Sequence, residues 1–287
     1  MRASIRGTEI YFDVEGMGLV PDGPTMRERP VAFVLHGGPG GDHSAFKPGF
    51  SPLAARMQLV YVDHRGQGRS AKGDPATYTL DQNVEDLEAL RRHLGLGPIV
   101  SIGTSYGGMV AMAHAARYPE SVSHLVAIVT AAHSGFNERA QQIVRERGTP
   151  EQQRVCAMLW NGELTTLEAV QHYYAVMAPM YALSHDPKAS TDARARTLHE
   201  PAALNAAFRP GGFLRQNYDL RPELARITAK TLILAGRHDW ICAPEFSEEI
   251  HALISGSDLR IFERSSHSIR ADEPEAMMDA IKGFIVY

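Results

Sequence analysis

The chain has 287 residues, a formal net charge of −4 and 44% hydrophobic residues. Mild acidity without Lys/Arg clusters argues against nucleic acid as a partner, and no apolar run reaches the ~18 residues of a membrane-spanning helix. The opening stretch MRASIRGTEIYFDVEG has no signal-like apolar core, and Cys156 and Cys242 are too few for a disulfide framework, so the expectation is a soluble, cytoplasmic protein without a membrane partner.

In chain order, IRGTEIYFDVEG alternates polar and apolar residues and predicts an opening hairpin. VAFVL (Val31–Leu35) and LVYVD (Leu59–Asp63) are short, β-branched and continuously apolar, which suits strands buried on both faces of a parallel sheet. Thr79 and Gln82 predict a capping box opening a helix whose inner stripe is Leu80, Val84, Leu87 and Leu94 and which Gly95 ends. IVSIG predicts a strand, and YGGMVAMAHAARYPE a small-residue helix that stops at Pro119. VSHLVAIVT, KTLILAG and LRIFE supply three more strands. A last helix begins near Asp272, with Pro274 in its first turn and Ile281, Phe284 and Ile285 on one face. Such alternation predicts an α/β fold with a mostly parallel sheet and right-handed crossovers. It breaks once, between about Thr130 and Arg226, where NERAQQIVRER, EQQRVCAMLW and TLEAVQHYYAVMAPMYA read as helices. The predicted organisation is a core over 1–129, a helical insertion over 130–226 and a second part of the core over 227–287.

Gly103–Gly107 has the form G-x-S-x-G between a predicted strand and a predicted helix, a setting in which a sharp turn displays the central Ser105. A serine hydroxyl needs a base to act as a nucleophile. In this arrangement the acid and then the histidine should follow the serine, and Asp239 (LILAGRHDW) and His267 (LRIFERSSHS) each lie just past a strand. Singly, Asp239 reads equally well as a helix cap and His267 as a loop histidine; their order and placement together mark a catalytic triad. HGGPGG, after the first core strand, offers the Gly38 N–H, which pairs with the N–H of Tyr106 as an oxyanion hole. DHRGQGRS lacks the spacing of a phosphate loop, so its glycines and Arg65 are expected to lock a turn. Asp42 and His43 have no partners at metal-site spacing. His36 is expected to brace the oxyanion loop, His64, His133 and His238 to serve turns, and Cys242 to pack.

The succession HGGPGG, DHRGQGRS, GTSYGG, GRHDW and SSHS resembles the α/β-hydrolase superfamily over essentially the whole chain. The HGGPGG form and the GSDLRIFERSSHS ending resemble its proline iminopeptidase branch. This resemblance implies a Ser105–His267–Asp239 triad, a helical cap formed by the insertion, a small-molecule substrate, and neither metal nor organic cofactor. Iminopeptidases of that branch are expected to hold the substrate's free amine with cap carboxylates. Glu138 and Glu200 are the candidate substrate contacts together with Trp240, and Glu163 and Glu168 are also available. FRPGGF, however, carries Arg209 and no acid where related peptidases tend to have a glutamate. Three readings stay open: an N-terminal peptidase, a carboxylesterase or lactonase, and a ligand-binding receptor that retains a triad with little turnover.

Overall fold

The computed structural model describes residues 1–285. The N-terminal hairpin is present as β1 (Arg2–Ile5) and β2 (Thr8–Glu15), joined through Arg6 and Gly7 at φ 46° and 72°, the left-handed pair that a two-residue hairpin loop requires. A second hairpin, β3 (Leu19–Asp22) and β4 (Thr25–Glu28), stands apart as its own two-stranded sheet and was not anticipated from the sequence. The remaining strands are β5 (Val31–Leu35), β6 (Gln58–Val62), β7 (Ile99–Thr104), β8 (Val122–Ile128), β9 (Lys230–Gly236) and β10 (Asp258–Phe262). Among the described residues they complete an eight-stranded sheet of order β1-β2-β6-β5-β7-β8-β9-β10. β2 meets β6 antiparallel, and every pairing from β6 to β10 is parallel.

Alternate residues of each central strand enter different cores. Phe33, Leu35, Val60 and Val62 pack with Val84, Leu87 and Val110 on one face; Ala32, Val34, Leu59 and Tyr61 pack with Met277 and Ile281 on the other. A sheet covered on both faces has no polar side, which is why its strands read as unbroken apolar runs.

The helix Leu80–His93 begins where expected: Thr79 Oγ1 accepts from the Gln82 N–H at 3.2 Å, and Gly95, at φ 66°, follows its end. The capping box is only half made, because Gln82 Oε1 accepts from Arg6 Nη1 at 3.0 Å instead of returning the bond to Thr79. A reciprocal box forms elsewhere, between Thr149 and Gln152. The last helix, Pro274–Phe284, begins near the expected point with Pro274 in its first turn, and a separate short turn over Ile269–Asp272 precedes it. Pro274 drives Glu273 out of helical geometry to φ −136°, ψ 60°.

Between β8 and β9 the chain forms the helices Phe136–Arg147, Pro150–Asn161, Leu167–Tyr181, Pro187–Arg196 and Pro201–Phe208. Helix Pro187–Arg196 packs on the turn His43–Ala45, which follows β5, so this segment meets the sheet where its strands end.

Candidate active site

β7 runs into the helix Tyr106–Arg117 with Ser105 between them at φ 55°, ψ −119°, a conformation that costs a non-glycine residue of order 1–3 kcal/mol. Neighbouring contacts hold it there. The Ser105 N–H donates to Ile128 O at 2.8 Å, and Thr130 Oγ1 donates to Ser105 O at 2.9 Å. The flanking glycines admit no side chain: a Cβ on Gly103 would lie 2.1 Å from Gly107 O, and one on Gly107 would lie 2.3 Å from Leu35 O. The motif is therefore a packing requirement as much as a chemical one.

Two other strand ends converge on the same place. Asp239 follows β9 and His267 follows β10, and both are buried. His267 Nδ1 lies 2.9 Å from Asp239 Oδ1 and 2.8 Å from Oδ2. A carboxylate only accepts, so Nδ1 carries a proton and Nε2 is the ring nitrogen that faces away from Asp239. Asp239 Oδ1 also accepts from the N–H groups of Ile241 (2.8 Å) and Cys242 (3.0 Å), which fixes the carboxylate independently of the imidazole. Gly236 gives the histidine loop room, since a Cβ there would lie 2.2 Å from Ser266 O. Among the described residues no hydrogen bond joins Ser105 Oγ to His267; the two side chains share the wall of one cavity.

Gly38, at φ 119°, follows Gly37, where an added Cβ would lie 3.1 Å from Ser105 Cβ, and no internal acceptor among the described residues takes the N–H of Gly38 or of Tyr106. The loop is braced from beneath. His36 Nδ1 donates to Gly37 O at 2.8 Å while its Nε2 accepts from the His64 N–H at 3.2 Å, so this buried ring is neutral with a defined tautomer. Burial pushes the pKa of both His36 and His64 down, reinforcing that state. In DHRGQGRS, Arg65 forks onto Asp86 at 2.7 and 2.6 Å, and Gln67 Oε1 accepts from the Gly40 N–H at 2.7 Å. His43 donates to Asp63 from Nδ1 at 2.7 Å. These groups hold the turn.

The cavity measures about 610 Å³, within the range of small-molecule sites. Of the candidate substrate contacts, Trp240 lines it. The carboxylates do not. Glu138 is exposed, because Phe136 and Ala140 turn the cavity-facing side of their helix inward and position 138 falls on the opposite side. Glu200 caps the helix Pro201–Phe208 and pairs with Lys72 at 3.0 Å; Glu163 and Glu168 face solvent. Instead the walls are aromatic. Tyr181 meets His267 edge-on, with centroids 5.7 Å apart, and Trp240 at 5.5 Å. Tyr173, Tyr174, Trp160 and His199 complete that side. In the sequence these tyrosines and Trp160 read simply as helix, and the tyrosines crowded into HYYAVMAPMYA were the available cue to an aromatic wall. The helix Leu167–Tyr181 is tied to the histidine loop: the Ser268 N–H donates to Tyr181 O at 2.8 Å, and Ser266 Oγ to Met180 O at 2.7 Å.

A family model described as the alpha/beta hydrolase fold matches residues 30–274. Among proteins of related sequence, the proline iminopeptidase PfmaB of Pestalotiopsis fici is 29% identical over 265 residues, covering 90% of this chain and 92% of that protein. A proline iminopeptidase of Saccharolobus solfataricus is 29% identical over 261 residues, covering 88% and 83%. Among solved structures, a proline iminopeptidase of Mycobacterium smegmatis superimposes with a TM-score of 0.77 at 20% identity, over 99% of this chain and 96% of that one. An enol-lactonase from Burkholderia xenovorans does so with a TM-score of 0.74 at 22% identity, over 99% of each chain. At such identities the structural likeness is one of fold.

Proposed function

Because the chain belongs to the α/β-hydrolase fold family, matched across residues 30–274, it is a hydrolase, and we propose that it cleaves small esters and amides through an acyl enzyme on Ser105. In this reading His267 Nε2 takes the hydroxyl proton as Ser105 Oγ attacks the carbonyl carbon. The Gly38 and Tyr106 N–H groups receive the oxyanion. Collapse expels the alcohol or amine, which leaves with the proton from His267. Water, deprotonated by the same nitrogen, then releases the acid. The Ser105–His267 hydrogen bond is required in the substrate complex, where catalytic contacts commonly tighten. Residues 130–226 act as a cap whose aromatic wall shapes the acyl pocket.

The observation that carries this reading is the two-oxygen contact of Asp239 with His267 Nδ1, which leaves the opposite ring nitrogen basic. The names of the sequence relatives favour the amide branch, with an N-terminal proline as the residue removed. The exclusion of Glu138, Glu163, Glu168 and Glu200 from the cavity favours the ester or lactone branch, because an α-ammonium group finds none of them there. Parallel measurement of kcat/KM on p-nitrophenyl butyrate, γ-butyrolactone and proline arylamide separates the branches. Ser105→Ala is expected to abolish fluorophosphonate labelling and to lower turnover about 10,000-fold or more. Labelling that persists in this variant, or turnover within tenfold of the parent, counts against Ser105 as the nucleophile.

A further inference from the structure

Two guanidinium groups line the cavity, and among the described residues neither makes an ion pair with an acid. Arg270, three residues after His267, makes no hydrogen bond or ion pair among the described residues. Its stem crosses Gly49, where an added Cβ would lie 3.5 Å from Arg270 Cδ, and its guanidinium carbon stands 4.8 Å from the centroid of the Phe46 ring. Burial lowers its pKa, and no neighbouring carboxylate opposes that shift. Among the described residues the Arg194 side chain bonds only to hydroxyls, Ser190 Oγ at 2.6 Å and Thr191 Oγ1 at 2.9 Å.

The carboxylates on the same wall are engaged elsewhere. Asp42 pairs with Arg69 at 2.6 Å and accepts from Ser44 and from the Leu198 N–H. Asp186 caps its helix, accepting from the Lys188 and Ala189 N–H groups at 2.8 and 3.2 Å. Arg270 also lies close to the reacting centre. Phe46 Cζ and Ser105 Cβ stand 3.6 and 3.1 Å from the point where Gly37 would carry a Cβ, so one aromatic ring separates the guanidinium from the nucleophile's loop.

A partly desolvated cation without a counter-charge is unfavourable, and a bound anion removes that cost. The planar fork of donors on arginine fits a carboxylate better than any other common anion except phosphate. We propose that Arg270, seconded by Arg194, binds a carboxylate of the substrate, so that the preferred esters or amides are anionic. The inference rests on the acyl-transfer reading for Ser105 and narrows it. The carboxylate can belong to the acyl part, as in a dicarboxylic monoester, or to the leaving group, as at the C-terminus of a short peptide.

Two matched pairs test it and separate these sources: p-nitrophenyl hydrogen glutarate against p-nitrophenyl butyrate, and 4-butyryloxybenzoate against phenyl butyrate. At least one carboxylate ester is expected to exceed its neutral partner tenfold or more in kcat/KM. Arg270→Gln should erase that ratio, Arg270→Lys should retain part of it, and added salt should shrink it. Equal kcat/KM within both pairs, or a ratio that survives in R270Q, overturns the proposal. Binding of monomethyl glutarate and methyl butyrate to Ser105→Ala gives a readout independent of turnover. Arg270-dependent preference for the glutarate, in a wild type that hydrolyses no ester or amide, would keep the carboxylate site and remove the acyl-transfer reading. Turnover of neutral esters with no such preference would do the reverse.

Discussion

Asp239 accepts four contacts, two from one imidazole and two from backbone amides. An amide in its place keeps only one acceptor oxygen, and its NH2 would oppose the Nδ1 proton. Asp239→Asn should therefore turn the imidazole to the tautomer protonated on Nε2, which cannot take the proton of Ser105. The expected fall in kcat is about 1,000- to 10,000-fold with the fold intact by circular dichroism; a fall below tenfold would remove Asp239 from the mechanism. Ser105, Asp239 and His267 were legible because motif and strand-end placement constrain each of them. Arg270 and Tyr181 were not, because their significance depends on which groups they fail to meet or happen to face. Glu138 misled for the opposite reason: a carboxylate in the right segment sits on the wrong side of its helix.

Helix Leu80–His93 carries a buried carboxyl of a different kind. Glu88 accepts from Arg91 at 2.8 and 2.9 Å and from Arg92 at 2.6 Å, and lies 3.1 Å from His114 Nε2. Burial by itself would raise its pKa, but the bonds from Arg91, His114 and Arg92 outweigh that and hold it far below the usual carboxylate range. A folded pKa below the unfolded one gives stability that is complete above the ordinary carboxylate range and is lost as pH falls through and below it. Glu88→Gln is expected to cost about 1–3 kcal/mol in urea unfolding at pH 7, and the gap from wild type should narrow at pH 3. A gap that does not change between these pH values would contradict the account. Elements were legible where they bury surface. The strands of the double-faced sheet announced themselves, whereas β3 and β4, almost wholly exposed apart from Val20, carry no apolar pattern to read. Gly23 in the loop between them, at φ 60°, was the available cue.

At the scale of the molecule, both cysteines lie in the hydrophobic interior. Burial pushes the Cys156 thiol up to about 12 and the Cys242 thiol well above its usual value, so neither forms thiolate at neutral pH. Ellman's reagent should leave the native protein unmodified and titrate both thiols after denaturation; fast reaction of the native protein would contradict this burial. β8 and β9, the strands on either side of the helical segment, are hydrogen-bonded neighbours. The excursion thus departs and returns through a single gap, and the sheet registers neither its length nor its content. The excursion's ties run instead to the loops above the sheet, among them two carbonyls, those of Met180 and Tyr181, that steady the loop bearing the base. Exchanging the excursion for a foreign one should redirect selectivity while keeping the chemistry, provided the newcomer replaces those two oxygen atoms and the donors that Thr130 gives to Ser105 O, Glu200 to Gly40 O and Leu198 to Asp42.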